Sequence, residues 1–156
     1  MTVALSDVEL GAYFALRSAG DRLQRAVTQQ LREHGLTEVQ FSVLANLAAA
    51  PGGIGMTDLA HALVVTKSGL TYQATQLEGR GLVARGTRAG DERAVRLELT
   101  AKGAQLLGEV MPGHVTLVRQ LFIDRIDAAQ LAIVRDALAR VADEPTDTRP
   151  EPTSTD

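Results

Sequence analysis

Between Gly81 and Thr100 the apolar period of this chain changes once, from a helical repeat to strict alternation, and then changes back. Val95-Arg96-Leu97-Glu98-Leu99 puts apolar residues at every second position, the pattern of a strand with one covered face. Leu82-Val83-Ala84-Arg85 is short and β-compatible. The residues between, Gly86 to Ala94, are rich in Gly and charge, which predicts a hairpin with a long, polar, exposed tip. An isolated hairpin is marginal in water, so helices must cover its apolar face. The expected fold class is mainly α with a small β-hairpin.

Helix signals surround that hairpin. Ser6-Asp-Val-Glu9, Thr37-Glu-Val-Gln40 and Asp127-Ala-Ala-Gln130 are capping boxes, in which two side chains satisfy backbone donors reciprocally. The first opens a helix running to about His34, carrying Leu16, Leu23, Val27 and Leu31 and closed by Gly35. The second opens a helix with Val39, Val43, Leu44 and Leu47 on its core face, broken by Pro51-Gly-Gly-Ile-Gly55. Thr57 is expected to cap a short helix with Leu59, Ala60 and Leu63. Thr66 is expected to cap a helix reaching about Arg80, with Leu70, Ala74 and Leu77 as a narrow apolar stripe. After the hairpin, Thr100 caps a helix to roughly Phe122, with a kink or break expected at Pro112-Gly113. The third box starts a final helix bearing Leu131, Val134, Leu138 and Val141.

This order describes a winged helix-turn-helix embedded between terminal helices. The terminal stripes are too narrow to close a core alone, and the simplest partner for them is a second copy of the chain. Residues 1–35 and 101–142 are therefore read as a dimerisation region and 36–100 as a winged helix-turn-helix DNA-binding domain. The stretch 143–156 has three Pro and no large apolar residue, and is read as a disordered acidic tail.

The net charge of −3 would count against a nucleic-acid partner if it were uniform. It is not. Residues 66–102 hold seven basic and four acidic side chains, net +3, while 143–156 hold five acids and one Arg. No apolar run approaches the ~20 residues of a membrane helix, and no signal pattern opens the chain, so a cytoplasmic protein without a membrane partner is expected. Without Cys there is no disulfide, thiolate metal site or thiol redox switch, and no spacing joins His34, His61 and His114 into a zinc site. No nucleophile elbow, Walker loop, dinucleotide fingerprint or HExxH motif is present. The chain is read as a non-enzyme that needs no cofactor.

A helix over Thr66–Arg80 would be ~22 Å long, enough to lie in a major groove. Its outer face offers hydroxyls, amides and Lys67, with Glu78 its one carboxylate; an ordinary solvated face is the competing reading. In the hairpin, Arg93 suits a narrow minor groove, Asp91 could fix the loop that presents it, and Arg88 could track phosphate. A charged soluble loop explains the same residues.

Five blocks in order carry a resemblance. Leu36-Thr37-x-x-Gln40-x-x-Val43-Leu44, Asp58-Leu59-Ala60, Leu77-Glu78-x-Arg80-Gly81-Leu82-Val83-x-Arg85, Asp91-x-Arg93-Ala94 and Leu99-Thr100-x-Lys102-Gly103 together resemble the MarR family of bacterial transcription regulators. The resemblance implies a homodimer on pseudopalindromic double-stranded DNA, a recognition helix in the major groove and a wing Arg in the minor groove. By position it makes Lys67, Ser68, Thr71, Tyr72, Thr75 and Gln76 helix candidates and Arg93 the wing candidate with Asp91 as its support; Thr66, at the helix N-terminus, and Arg88, near the hairpin tip, join them as DNA-contact candidates on the residues alone. Gly69 stands where Ser or Thr is common in the family, and Gln73, in place of an apolar residue, either turns toward DNA or bridges to the preceding helix.

The family further implies a repressor released by a small, possibly aromatic effector, for which Tyr13, Arg17, Phe41 and His114 are the candidates. Core packing for Phe41, and an interface position for Tyr13 and His114, compete with that. A ligand-independent or architectural DNA-binding regulator, and a protein-interaction module that keeps the fold, remain alternatives.

Overall fold

The computed structural model describes the backbone of residues 4–88 and 91–142, with side chains outside 88–94. The tail expected over 143–156 lies outside the described residues. Helix α1 (Asp7–Glu33) starts at the Ser6–Glu9 capping box and ends where Gly35 turns left-handed at φ +68. Helix α2 (Glu38–Ala48) starts at the Thr37–Gln40 box. Strand β1 (Ile54–Gly55), helices α3 (Met56–Ala62) and α4 (Lys67–Gly79), and strands β2 (Val83–Arg88) and β3 (Asp91–Leu99) follow. Helix α5 (Ala101–Leu121), a 3-10 turn (Ile123–Arg125) and α6 (Ala128–Ala142) complete the chain.

The strands form one antiparallel sheet in the order β1-β3-β2. Leu97, buried at its centre, pairs with Ile54 on one side and Arg85 on the other. Leu31, Val43, Leu44, Leu47, Leu59, Leu70, Leu77 and Val110 join it in one core, so helices α1 to α5 and the sheet share an apolar centre. The start of α5 is pinned to the turn before β2 by Thr100, whose hydroxyl caps the helix at Gly103 N–H (3.0 Å) and donates to Gly81 O (2.7 Å). At Gly103 a Cβ would stand 2.1 Å from Leu82 O, so only glycine fits that crossing.

Four expectations are corrected. The hairpin does not open at Gly86: Gly86 pairs with Arg96, Thr87 with Val95 and Arg88 with Asp91, so the strands run on to Arg88 and Asp91. A register shift between Thr87 and Arg88 absorbs the extra residues of β3. Backbone pairing continues there without apolar alternation, because an exposed ladder needs no buried face. The Pro51–Gly55 segment is more than a turn, since Ile54 and Gly55 add the third strand; Gly53, at φ +74, brings the chain within 2.6 Å of Leu97 O measured from an ideal Cβ. Consequently α3 begins directly after Gly55, with Thr57 inside its first turn instead of at its cap. Finally, of the kink or break expected at Pro112-Gly113, the break is absent: α5 runs unbroken through Pro112. The hydrogen bond the proline lacks would have gone to Gly108 O, and both residues lie on the exposed side, where water satisfies the freed carbonyl.

Candidate nucleic-acid interface

Helix α4 owes its start to Thr66, whose hydroxyl accepts from Gly69 N–H (3.1 Å). A Cβ on Gly69 would come within 3.0 Å of that hydroxyl, a tight contact that a small shift of the Thr66 side chain would relieve. The preceding turn is sharp. Val64, 92 % exposed, takes φ 54, an unfavourable conformation for a β-branched residue, and it lets Val65 N–H return to Ala60 O (3.1 Å).

Leu70, Ala74 and Leu77 bury one side of α4, which leaves Lys67, Ser68, Thr71, Tyr72, Thr75 and Gln76 exposed, Tyr72 at 63 %. The helix N-terminus adds a positive dipole end beside Lys67 and Ser68. On its inner edge Gln73 turns away from the exposed face and accepts from Gln40 Nε2 (3.0 Å). Gln40 is nearly buried and also closes the α2 capping box, accepting from Thr37 N–H (3.2 Å). One amide thus fixes the start of α2 and the middle of α4 against each other. Gln73 forms a bridge, but to α2 and not to α3, the helix that immediately precedes α4.

On the wing side, Arg85 of β2 holds α4. Its guanidinium pairs with Glu78 (2.7 Å), donates to Thr75 Oγ1 (3.0 Å) and reaches Thr71 O (3.4 Å). The only carboxylate of α4 is thereby neutralised. A cleft of about 580 Å³ opens beside this contact, with Lys67, Thr71, Thr75 and Arg85 on one wall and Thr57 and Asp58 among the others.

The charge surplus of 66–102 is also partly committed. Arg80 donates to Gly35 O (2.7 Å), Lys102 to Arg80 O (2.8 Å), and Arg96 to Gly52 O and Gly53 O. The ammonium of Lys67 makes no hydrogen bond or ion pair with the described residues. The side chains of Arg88, Asp91 and Arg93 lie outside the described residues, although the backbone sets Arg88 opposite Asp91 at the end of the wing.

Sequence reasoning missed Arg85, Glu78 and Gln40 as parts of this site. The lone acid of α4 followed seven residues later by an arginine was the available signal, but contact across the Gly81 turn depends on the strand's direction.

The four effector candidates form two separate pairs. Tyr13 accepts from Arg17 (3.3 Å), one turn along the exposed part of α1. Phe41 packs its ring against His114 at 4.5 Å between centroids, linking α2 to α5. Gln30 donates to Val110 O (3.3 Å) in the α5 turn that leads to His114. Its Oε1 and the His114 Nδ1 are buried without a partner among the described residues. Burial holds the imidazole below its usual pKa. No group of acids and histidines among the described residues could hold a metal ion, and no helix there is long and apolar enough to cross a membrane.

Residues 34–94 match the MarR family. AbsC, a MarR family transcriptional regulator from Streptomyces coelicolor, superposes with a TM-score of 0.86 at 32% identity over 90% of this chain and 96% of its own. The chain belongs to the MarR family. A second MarR regulator of that organism, Sco3205, solved in complex with DNA, matches with a TM-score of 0.86 and 29% identity over 94% of each chain. The transcriptional repressor MdtR of Bacillus subtilis is 27% identical over 141 residues, 89% of this chain and 88% of its own. The MarR fold thus accounts for the winged helix, and the relatives are regulators of transcription, not enzymes.

Proposed function

We propose that this MarR-family chain is a cytoplasmic, homodimeric repressor of transcription that binds a pseudopalindromic operator. Each subunit sets α4 in a major groove and its wing in the adjacent minor groove. Residues 36–100 read DNA, while 1–35 and 101–142 join the subunits. The observation that carries the reading is the outer face of α4: six polar residues stand exposed together, and its one acid is cancelled by Arg85. Phosphate then meets no net negative charge along the helix. The repressor role rests on MdtR and the DNA partner on Sco3205. Candidate contacts are Thr66, Lys67, Ser68, Thr71, Tyr72, Thr75 and Gln76 on α4, with Arg88 and Arg93 on the wing and Asp91 as the support of Arg93.

Selection of bound fragments from the source genome tests this directly. Inverted half-sites about one helical turn apart are expected. Retention without any shared half-site would favour an architectural binder, and no retention would favour a protein-interaction module.

Release by a small, possibly aromatic effector is a second reading, favoured by the unpartnered Gln30 Oε1 and His114 Nδ1 beside the Phe41 ring. Polar atoms buried without partners are costly, and a ligand that satisfies them gains accordingly. A thermal-shift panel of aromatic acids checks it: a binder must raise the melting temperature, and that rise should vanish in His114→Leu.

A further inference from the structure

Thr71 and Thr75 stand in the middle of the α4 reading face, yet neither hydroxyl has its proton to spare. Thr71 Oγ1 donates to Lys67 O (2.8 Å) and Thr75 Oγ1 to Thr71 O (2.9 Å), each one turn back along the helix. A hydroxyl has one donor and two acceptor sites. Thr75 has also filled one acceptor site with the Arg85 guanidinium (3.0 Å). What both residues still present outward is acceptor lone pairs and a methyl group.

Guanine is most often read in the major groove by an Arg or Lys donating to O6 and N7. Helix α4 has no arginine between Lys67 and Gly79. The nearest two are both held, Arg80 at the C-cap by Gly35 O and Arg85 on β2 by Glu78, Thr75 and the Thr71 carbonyl. Lys67 lies at the edge of the face and lines the cleft toward the wing, a position suited to the DNA backbone. Ser68, in the first turn, shares its hydroxyl with Thr66 Oγ1 (3.3 Å), and the amide reader that remains is Gln76, exposed on the opposite edge and without a hydrogen bond among the described residues. A glutamine amide matches adenine, donating to N7 and accepting from N6–H. Tyr72 and the two threonine methyls offer apolar contact to the thymine methyl.

We infer that α4 reads A·T base pairs, with Gln76 engaging an adenine and Tyr72, Thr71 and Thr75 contacting thymine methyls, and that guanine is not read by this helix. The inference rests on the proposed DNA-binding function and specifies its ligand. Thr71 and Thr75 tolerate a base-edge amino group, adenine N6 or cytosine N4, but not a second acceptor such as guanine O6.

Selection of the full chain against a randomised duplex library tests it. Wild type should enrich half-sites in which A·T pairs occupy the α4 positions. At one adenine, Gln76→Ala should lose about 5- to 150-fold of discrimination, the range of a good bidentate contact. Replacing that adenine by 7-deazaadenine should weaken wild type but leave Gln76→Ala unchanged, because only the wild-type amide uses N7. Gln76→Glu should shift the preference at this position to cytosine, since a carboxylate accepts from N4. Gln76 is exposed, so loss of folding does not confuse the result, and a thermal melt on each variant verifies that. Enrichment of guanine at the position that Gln76→Ala relaxes would overturn the inference while leaving DNA binding intact. An equal loss on every sequence would also overturn it, by making Gln76 a phosphate contact. Failure to enrich any sequence removes the proposed function and the inference together.

Discussion

His114 joins two helices through an aromatic contact and keeps a buried Nδ1 without a partner among the described residues. Desolvation disfavours its charged form, and its pKa lies below the ordinary 6.5. The unfolded chain therefore takes up the proton first as pH falls. His114 contributes its full stability above the unfolded value, and that contribution is lost as pH drops through the lower, folded value. Urea unfolding of wild type should accordingly lose more stability from pH 7 to pH 5 than His114→Gln does. His34 and His61 are common to both chains and cancel in the difference. Parallel pH profiles would mean that the imidazole is solvated in the fold and that the Phe41 contact does not depend on its charge.

At the scale of the element, α5 shows how far sequence rules carry and where they stop. Proline in a helix interior costs about 3 kcal/mol, yet α5 is continuous because Pro112 and Gly108 both face water and Gln30 ties the buried side of that turn to α1. Pro112→Ala restores the N–H, and the gain should be about 1–3 kcal/mol in urea unfolding. No gain would imply that the helix is already distorted to suit the ring. Helix starts were legible because capping chemistry is local. Ser6, Thr37, Thr66, Thr100 and Asp127 each hold the backbone N–H three residues on, as their spacing implies. The α4 face was legible for a similar reason, since its 3.6-residue period separates Leu70, Ala74 and Leu77 from the polar side. Contacts across the sheet were not legible. The β1 pairing, the zipped wing and the Arg85–Glu78 clamp depend on backbone register between segments distant in sequence, and polar exposed strands carry no alternation to reveal it.

In the proposed dimer on DNA, the balance of charge and apolar surface sets both how many copies assemble and how they hold the duplex. Four of the seven cations in 66–102 are tied to Glu78 or to backbone carbonyls, and although Arg85 alone of the four has its charge cancelled, few are left to reach out to a phosphate, so a single reading module would bind weakly. Two modules on one duplex compensate, which requires that the terminal helices pair. The apolar surface for such pairing is present. Val8 is 82 % exposed, Phe14 57 % and Ile133 69 %, and a groove of about 480 Å³ between α1, the end of α5 and α6 is lined by Leu16, Leu23, Leu121, Phe122 and Leu138. Contiguous exposure of this kind on a helical end marks an interaction surface. The double variant Leu16→Asp/Leu138→Asp puts charge into that groove without touching the buried core. In light scattering it should run at the 16.6 kDa of one chain, with wild type at twice that mass. Circular dichroism should still report a helical protein that unfolds cooperatively. Its affinity for a two-half-site duplex should fall by about 100-fold or more, because the second half-site no longer binds as an intramolecular event, while affinity for a single half-site should change little. A double variant that keeps the doubled mass would move the subunit contact away from this groove. One that becomes monomeric yet holds the full operator as tightly as wild type would show that α4 and its wing need no partner to read DNA.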